Sequence, residues 1–248
     1  MDEVEVVVAH VERATLRVGD TFLKVDPDND RIDTELRAIE LAPVPTPSVR
    51  WRRPPVLALE AVPGKALGVL ETPSVASAEA WEAAGAAVRR LHDAPVPALA
   101  GRSVDGHAEA LDRGCALLLA NDVVSRPTVE HNRRLAEGAL HAFRPVFAHG
   151  DLQLTHVFVD DDDEVTGIID WSEAGPGDAA YDLATLTLRQ EDRLPQVLAG
   201  YGGGVDPEII RGWWSLRCLR AIPWLSDHGF DPWPEIAVLD ARMAESRR

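Results

Sequence analysis

Residues 147–171 read Phe-Ala-His-Gly-Asp-Leu-Gln-Leu-Thr-His-Val-Phe-Val-Asp-Asp-Asp-Asp-Glu-Val-Thr-Gly-Ile-Ile-Asp-Trp. Two β-branched runs, 157–159 and 165–169, flank five acidic residues that suit only a solvated turn, so the stretch is predicted to be a hairpin. Asp151, Gln153 and His156 stand just before the first strand, and Asp170 closes the second. Strand pairing therefore brings two carboxylates and an imidazole to one edge, which is a constellation of a base and metal ligands. A carboxylate that accepts a hydroxyl proton, a metal ligand five residues on, and an Asp after an apolar strand together match the parts list of phosphoryl transfer. The same side chains also suit a transition-metal site at His149, Asp151, His156 and Asp170, or simple structural histidines at a hairpin entrance.

His149-Gly150-Asp151-Leu152, Ile168-Ile169-Asp170-Trp171 and Gly177-Asp178-Ala179-Ala180-Tyr181-Asp182-Leu183-Ala184 resemble, in order and spacing, the signature of the aminoglycoside phosphotransferase family of small-molecule kinases. The resemblance implies an α+β, protein-kinase-like two-lobed fold with a small β-rich N-lobe and a larger, mostly helical C-lobe. It further implies that Asp151 is the catalytic base, that Asp170 binds Mg2+, and that Asp182 supports the loop from the helix behind it. One position departs: the family usually has Asn five residues after the base, and this chain has His156. Imidazole can ligate a divalent ion, yet magnesium prefers oxygen, so the second metal position is altered chemically.

The first sixty residues read as strands at 4–8, 14–18 and 21–25, with Gly19-Asp20 as the hairpin turn. Lys24 stands among apolar neighbours in the third strand; taken alone it suits an exposed edge, and the resemblance makes it the residue that pairs the phosphates of ATP or GTP. The loop of residues 9–13, expected over those phosphates, has no glycine. A helix is predicted over 32–41, capped by Asp33 or Thr34 and stopped by Pro43, with Glu35 in its first turn, either favouring the helix dipole or reaching Lys24. Strands are expected at 48–52 and 56–62, the latter leaving through Pro63-Gly64 as a hinge. By resemblance, the nucleobase meets main chain at Glu60, Ala61 and Val62. The expected organisation is thus a nucleotide-binding lobe over 1–63 and a catalytic, substrate-binding lobe over 64–248.

Beyond the hinge, helices are expected at 75–92, 106–120 and 128–142 and another from Asp178, which is placed to cap it. His92, at a helix end, reads as a cap or packing residue. Trp213, Trp214, Trp224 and Trp233 alternate with Asp206, Glu208, Asp227, Asp231 and Glu235. Such tryptophans read first as core, and second as a surface for a cationic, hydroxyl-rich ligand.

Composition narrows the partners. The chain has 248 residues, 41 acidic against 25 basic, for a formal net charge of −16. That balance argues against nucleic acid or an anionic membrane and favours cationic substrates, while the resemblance implies that the substrate is a small molecule bearing a hydroxyl. Cys115 and Cys218 lie far apart without metal spacing, the N-terminus lacks the basic and apolar regions of a signal peptide, and no apolar run approaches a membrane span, so a cytoplasmic setting is expected. The resulting expectation is an ATP- or GTP-dependent O-phosphotransferase acting on a small molecule, an aminoglycoside or other cationic antibiotic among them. The alternatives are a nucleotide-binding module with little catalysis, motivated by His156 and the glycine-free loop, and a non-kinase metalloenzyme.

Overall fold

A computed structural model describes residues 3–9, 13–70 and 72–245. Residues 10–12, most of the glycine-free loop read above, lie outside the described set. Strands β1 (Val4–Ala9), β2 (Ala14–Val18) and β3 (Thr21–Val25) form an antiparallel meander. Helix α1 (Asn29–Leu41) follows, then β4 (Val49–Arg53) and β5 (Val56–Glu60), and β5 inserts beside β3 to give the sheet order β1-β2-β3-β5-β4. Ile32 of α1 packs on Leu57 and Leu59 of β5, a small core of its own. Burying one such aliphatic side chain is worth about 1.5–3 kcal/mol, so α1 is held to the sheet chiefly by this face.

Helix α1 begins three residues before the predicted start. Asp28, not Asp33 or Thr34, is the cap: its carboxylate accepts from the Asp30 and Arg31 N–H groups. Glu35 consequently lies beyond the first turn, and its side chain is buried instead of serving the dipole.

Strand β6 (Lys65–Ala66) crosses to the second lobe and pairs with β8. Helices α2 (Ala78–Asp93), α3 (Val104–Ala120) and α4 (Arg126–Ala139) each start on a serine, Ser77, Ser103 and Ser125, whose hydroxyl takes a first-turn N–H. Strand β7 (Val146–Ala148), a short 3-10 turn over Leu154–His156, β8 (Val157–Val159) and β9 (Val165–Ile168) come next. The hairpin expected at 157–169 is present, with Val157 opposite Ile168. Its acidic turn is more than solvated chain, since the Asp160 carboxylate accepts from the Asp162 and Glu164 N–H groups. Strand β10 (Gly175–Gly177), although its Gly-Pro-Gly composition is that of a turn, pairs with β7. Helices α5 (Ala179–Thr187), α6 (Leu194–Tyr201), α7 (Pro207–Asp227) and α8 (Trp233–Glu245) complete the lobe. One large core joins Trp81 and Leu91 of α2, Leu118 of α3, Phe147, Trp171, and Trp213 and Trp214 of α7. Both cysteines are buried and unpaired. No helix among the described residues is long and apolar enough to cross a membrane.

Candidate active site

A cleft of about 930 Å³ separates the sheet from the helical lobe. From the sheet come Lys24, Glu60, Ala61 and Val62; from the hairpin region come Asp151, Gln153, His156 and Asp170; from α7 come Arg217, Ala221 and Trp224. Residues 146 positions apart in the chain meet here: Lys24 Nζ lies 2.6 Å from Glu35 Oε1 and 2.8 Å from Asp170 Oδ1. The β3 register points Lys24 toward the cleft, and the second turn of α1 delivers Glu35 from behind. Burial opposes the lysine charge, but the Glu35 and Asp170 carboxylates outweigh it and raise the Lys24 pKa, so the amine is protonated at neutral pH. For Asp170, burial favours the acid, whereas Lys24 and then His156 favour the carboxylate and win, holding its pKa well below the usual range. Asp170 sits at φ +66, a left-handed conformation that costs Asp less than most residues and turns its carboxylate out of the strand line.

The loop before β8 is fixed from several directions. Gly150 has φ +82, and a Cβ there would stand 2.1 Å from the Glu173 carbonyl oxygen, so only glycine fits. The His149 and Gly150 N–H groups donate to the two oxygens of Asp182, at 2.6 and 2.9 Å. His92, expected as a cap or packing residue, is buried between Asp182 (3.0 Å) and Tyr201 (3.0 Å), which ties α2 and α6 to the same carboxylate. His149 Nδ1 accepts from the Asp151 N–H, so its Nε2 carries the proton and donates to the Ile169 carbonyl. Both ring nitrogens are engaged, and burial keeps the ring neutral by lowering its pKa. His149 therefore has no lone pair left for a metal, and among the described residues no group of three or more His, Cys, Asp or Glu side chains is arranged to hold one. That geometry argues against the transition-metal alternative.

His156 is oriented otherwise. Its Nδ1 donates to the Asp151 carbonyl at 2.8 Å, which turns Nε2 toward Asp170 Oδ2 at 3.7 Å. The pair offers one oxygen and one nitrogen to a divalent ion, which fits Mg2+ through Asp170 and less well through the imidazole.

Asp151 is held at both oxygens: Oδ2 accepts from Gln153 Nε2 at 3.0 Å, and Oδ1 from Arg217 at 3.3 Å. Burial pushes its pKa up, and Arg217 followed by His156 pulls it down further, for a net lowering. The second guanidinium nitrogen of Arg217 donates to the Tyr181 hydroxyl at 2.8 Å, and Arg102 donates to the same oxygen at 3.1 Å while its other nitrogen is bonded to Glu173. None of Arg217, Tyr181 and Arg102 was singled out from sequence as a site residue. The available signal was Arg217 itself, one turn beyond Trp213 on the buried face of a helix, where an unpaired cation is costly.

Of the four tryptophans, Trp213 and Trp214 are core, Trp224 lines the cleft beside Phe230, Asp231 and Glu235, and Trp233 is exposed. Asp178 caps α5 through the Ala180 N–H and also accepts from Trp213 Nε1 at 2.9 Å.

A model of the phosphotransferase enzyme family matches residues 3–218. Streptomycin 3''-kinase of Streptomyces griseus is 32% identical over 158 residues, 53% of this chain and 57% of that protein, so the match spans little more than half of the curated relative. Among solved structures, aminoglycoside phosphotransferase APH(3'')-Id from Streptomyces rimosus superposes with a TM-score of 0.64 at 24% identity, over 86% of this chain and 91% of that one. The GDP complex of aminoglycoside 2'-phosphotransferase-IIIa gives 0.71 at 18% identity, over 98% and 93%. These similarities place the two-lobed architecture among kinase-like folds, and the extent of the family match shows that the chain belongs to the phosphotransferase enzyme family.

Proposed function

We propose that this chain transfers the terminal phosphoryl group of ATP or GTP to a hydroxyl of a small molecule, with Asp151 as base, in a cleft bounded by an N-terminal lobe ending near residue 63. The observation that carries this reading is the bridge from Lys24 to both Glu35 and Asp170, which sets a fixed cation and a metal-competent carboxylate beside each other, with Asp151 lining the same cleft. Lys24, steadied by Glu35, pairs nucleotide phosphate oxygens. The nucleobase meets main chain at Glu60, Ala61 and Val62; because the Glu60 and Ala61 N–H groups already donate to Ser48 and Asp20, a donor from this segment falls to Val62. Asp170 and His156 Nε2 would hold Mg2+, which when bound neutralises charge on the phosphates.

In the step itself, the acceptor oxygen forms a bond to phosphorus, the bond from phosphorus to the nucleotide's bridging oxygen breaks, the hydroxyl proton passes to Asp151, and a nucleoside diphosphate leaves. Asp151 acts mainly by orienting that hydroxyl, a role suited to a carboxylate fixed by Gln153 and by the loop bonds to Asp182. The chain's net charge of −16 and the substrates named for its relatives make aminoglycosides and other cationic antibiotics the first acceptors to screen. A second reading, nucleotide binding with little turnover, draws support from the nitrogen donor of His156 and from Arg217 occupying the Asp151 carboxylate.

Thermal unfolding with ATP, GTP and Mg2+ tests the reading. A ligand that binds only the native state raises the midpoint by mass action. A magnesium-dependent rise that weakens in Lys24→Ala and Asp170→Ala is the expected result. No rise at millimolar nucleotide overturns it, and a rise without turnover on any acceptor selects the second reading.

A further inference from the structure

Around the Tyr181 hydroxyl the cleft wall changes character. Arg217 and Arg102 both donate to that oxygen, and Arg220, one helical turn after Arg217, lies near enough to feel Tyr181 and both of these guanidinium groups electrostatically. Among the described residues, only two carboxylates, Asp151 and Glu173, are paired with these three guanidinium groups. The surplus is local, because the chain as a whole is strongly acidic. His107 packs against the Tyr181 ring at 5.3 Å; burial first, and then Arg220, Arg102 and Arg217, lower its pKa to about 4, consistent with a positive field at this point.

Arg217 is the member of this group that lines the cleft, beside Asp151 and one turn from Ala221 and Trp224. Its Nε is buried and has no hydrogen-bond partner among the described residues. A guanidinium is a planar fork that matches a carboxylate or phosphate through two parallel bonds, and here one edge of that fork is incompletely used. Asp151 cannot receive a hydroxyl on Oδ1 without giving up some of its bond to Arg217, which then needs another anion, because a buried guanidinium stripped of its partner is strongly disfavoured. An ammonium group at the same place would instead face like charge.

We propose that Arg217 anchors an oxyanion, a carboxylate or a phosphate, carried by the acceptor close to the hydroxyl that Asp151 receives. This rests on the phosphotransfer reading above but departs from its first acceptors to screen, since aminoglycosides carry no carboxylate or phosphate: a cationic portion can lie farther out, near Asp231 and Glu235, but the reacting end of the molecule is anionic. Exchange of the Asp151 bond for an acceptor oxyanion also couples substrate arrival to release of the base.

The test uses the full chain saturated with Mg2+ and a non-hydrolysable ATP analogue, which fills the donor phosphate positions. Four probes of similar size are titrated at constant ionic strength: D-glycerate, glycerol 3-phosphate, glycerol and serinol. The expected result is a saturable rise in unfolding midpoint with glycerate or glycerol 3-phosphate, whichever oxyanion fits, and none with glycerol or serinol. Arg217→Gln should weaken the apparent affinity of the responding probe by about tenfold or more, the size of a lost charge-assisted pair. Arg217→Lys keeps the charge but not the fork, should weaken it by a smaller factor, and carries the test should Arg217→Gln not fold. The proposal is overturned if serinol alone stabilises, if no probe does, or if the oxyanion response survives in both variants. It is also overturned if Arg217→Gln abolishes the nucleotide shift instead, which would assign the arginine to the transferred phosphoryl group. A wild-type chain that fails to respond to nucleotide refutes phosphotransfer separately, and the same titration on nucleotide-free protein then still reads the oxyanion site.

Discussion

The two ends of the cleft hold opposite electrostatic designs. At the sheet end a single cation, Lys24, is enclosed by two carboxylates, Glu35 and Asp170. At the α7 end Arg217 and Arg102 both donate to the Tyr181 hydroxyl, with Arg220 close by, and two carboxylates, Asp151 and Glu173, are paired with this group. The first cluster has an excess of negative charge, which suits the proposed metal ion; the second has an excess of positive charge, which suits the proposed anionic acceptor.

Catalysis offers the sharpest division between them. Asp151→Asn keeps the shape of the side chain and its bonding to Gln153 but removes the proposed base, so turnover on a responsive acceptor should fall by about 10³-fold with little change in nucleotide affinity. A variant within tenfold of wild type would mean that the Arg217-bonded carboxylate is not the group that receives the hydroxyl.

Stability comes next. Lys24→Met leaves Glu35 and Asp170 facing each other with no cation, and should cost about 3 kcal/mol of unfolding free energy, the scale for breaking a buried pair. Arg217→Met also strips a partner from Asp151, but it relieves repulsion with Arg102 and Arg220, and should cost only about 1 kcal/mol. Urea unfolding of both variants compares the clusters directly; equal losses would abolish the distinction between a balanced and an overcharged cation.

The smallest effect is a pH dependence. His107 has its pKa lowered to about 4 from an unfolded value of 6.5, so the unfolded chain binds the extra proton over that interval. Its contribution is therefore fully present above pH 6.5 and is lost as pH falls toward 4, a slope on the order of 1–2 kcal/mol once solvent screening is allowed for. His107→Asn should flatten the stability profile between pH 4 and 6.5. In Arg217→Gln the His107 titration, followed by NMR, should move upward; an unmoved titration would show that burial alone depresses it and that the positive field is weak.

Local sequence carried much of this molecule. The hairpin from Val157 to Ile168 could be read because two apolar runs and an acidic turn are properties of neighbouring residues. Helix starts were harder: Asp28, Asp33 and Thr34 all have capping side chains, and only the packing of Ile32 on Leu57 and Leu59 selects Asp28. Strand β10 is not legible in the sequence because Gly-Pro-Gly has the composition of a turn and becomes a strand only where β7, about thirty residues earlier, offers an antiparallel edge.

The sequence by itself determined the order of the motif residues, the two apolar runs and acidic turn that make the hairpin, and the placement of Lys24 in a strand and Asp170 at a strand end, since these depend on spacing and side-chain type along a few residues. Only the tertiary structure decided that Lys24 reaches Glu35 and Asp170, that His92 and Asp182 hold the loop of Asp151, and that Arg217 closes on Asp151 from α7. Those contacts join residues 11 to 146 positions apart, and their strength comes from removing charged groups from water together, a condition that no local window of sequence contains.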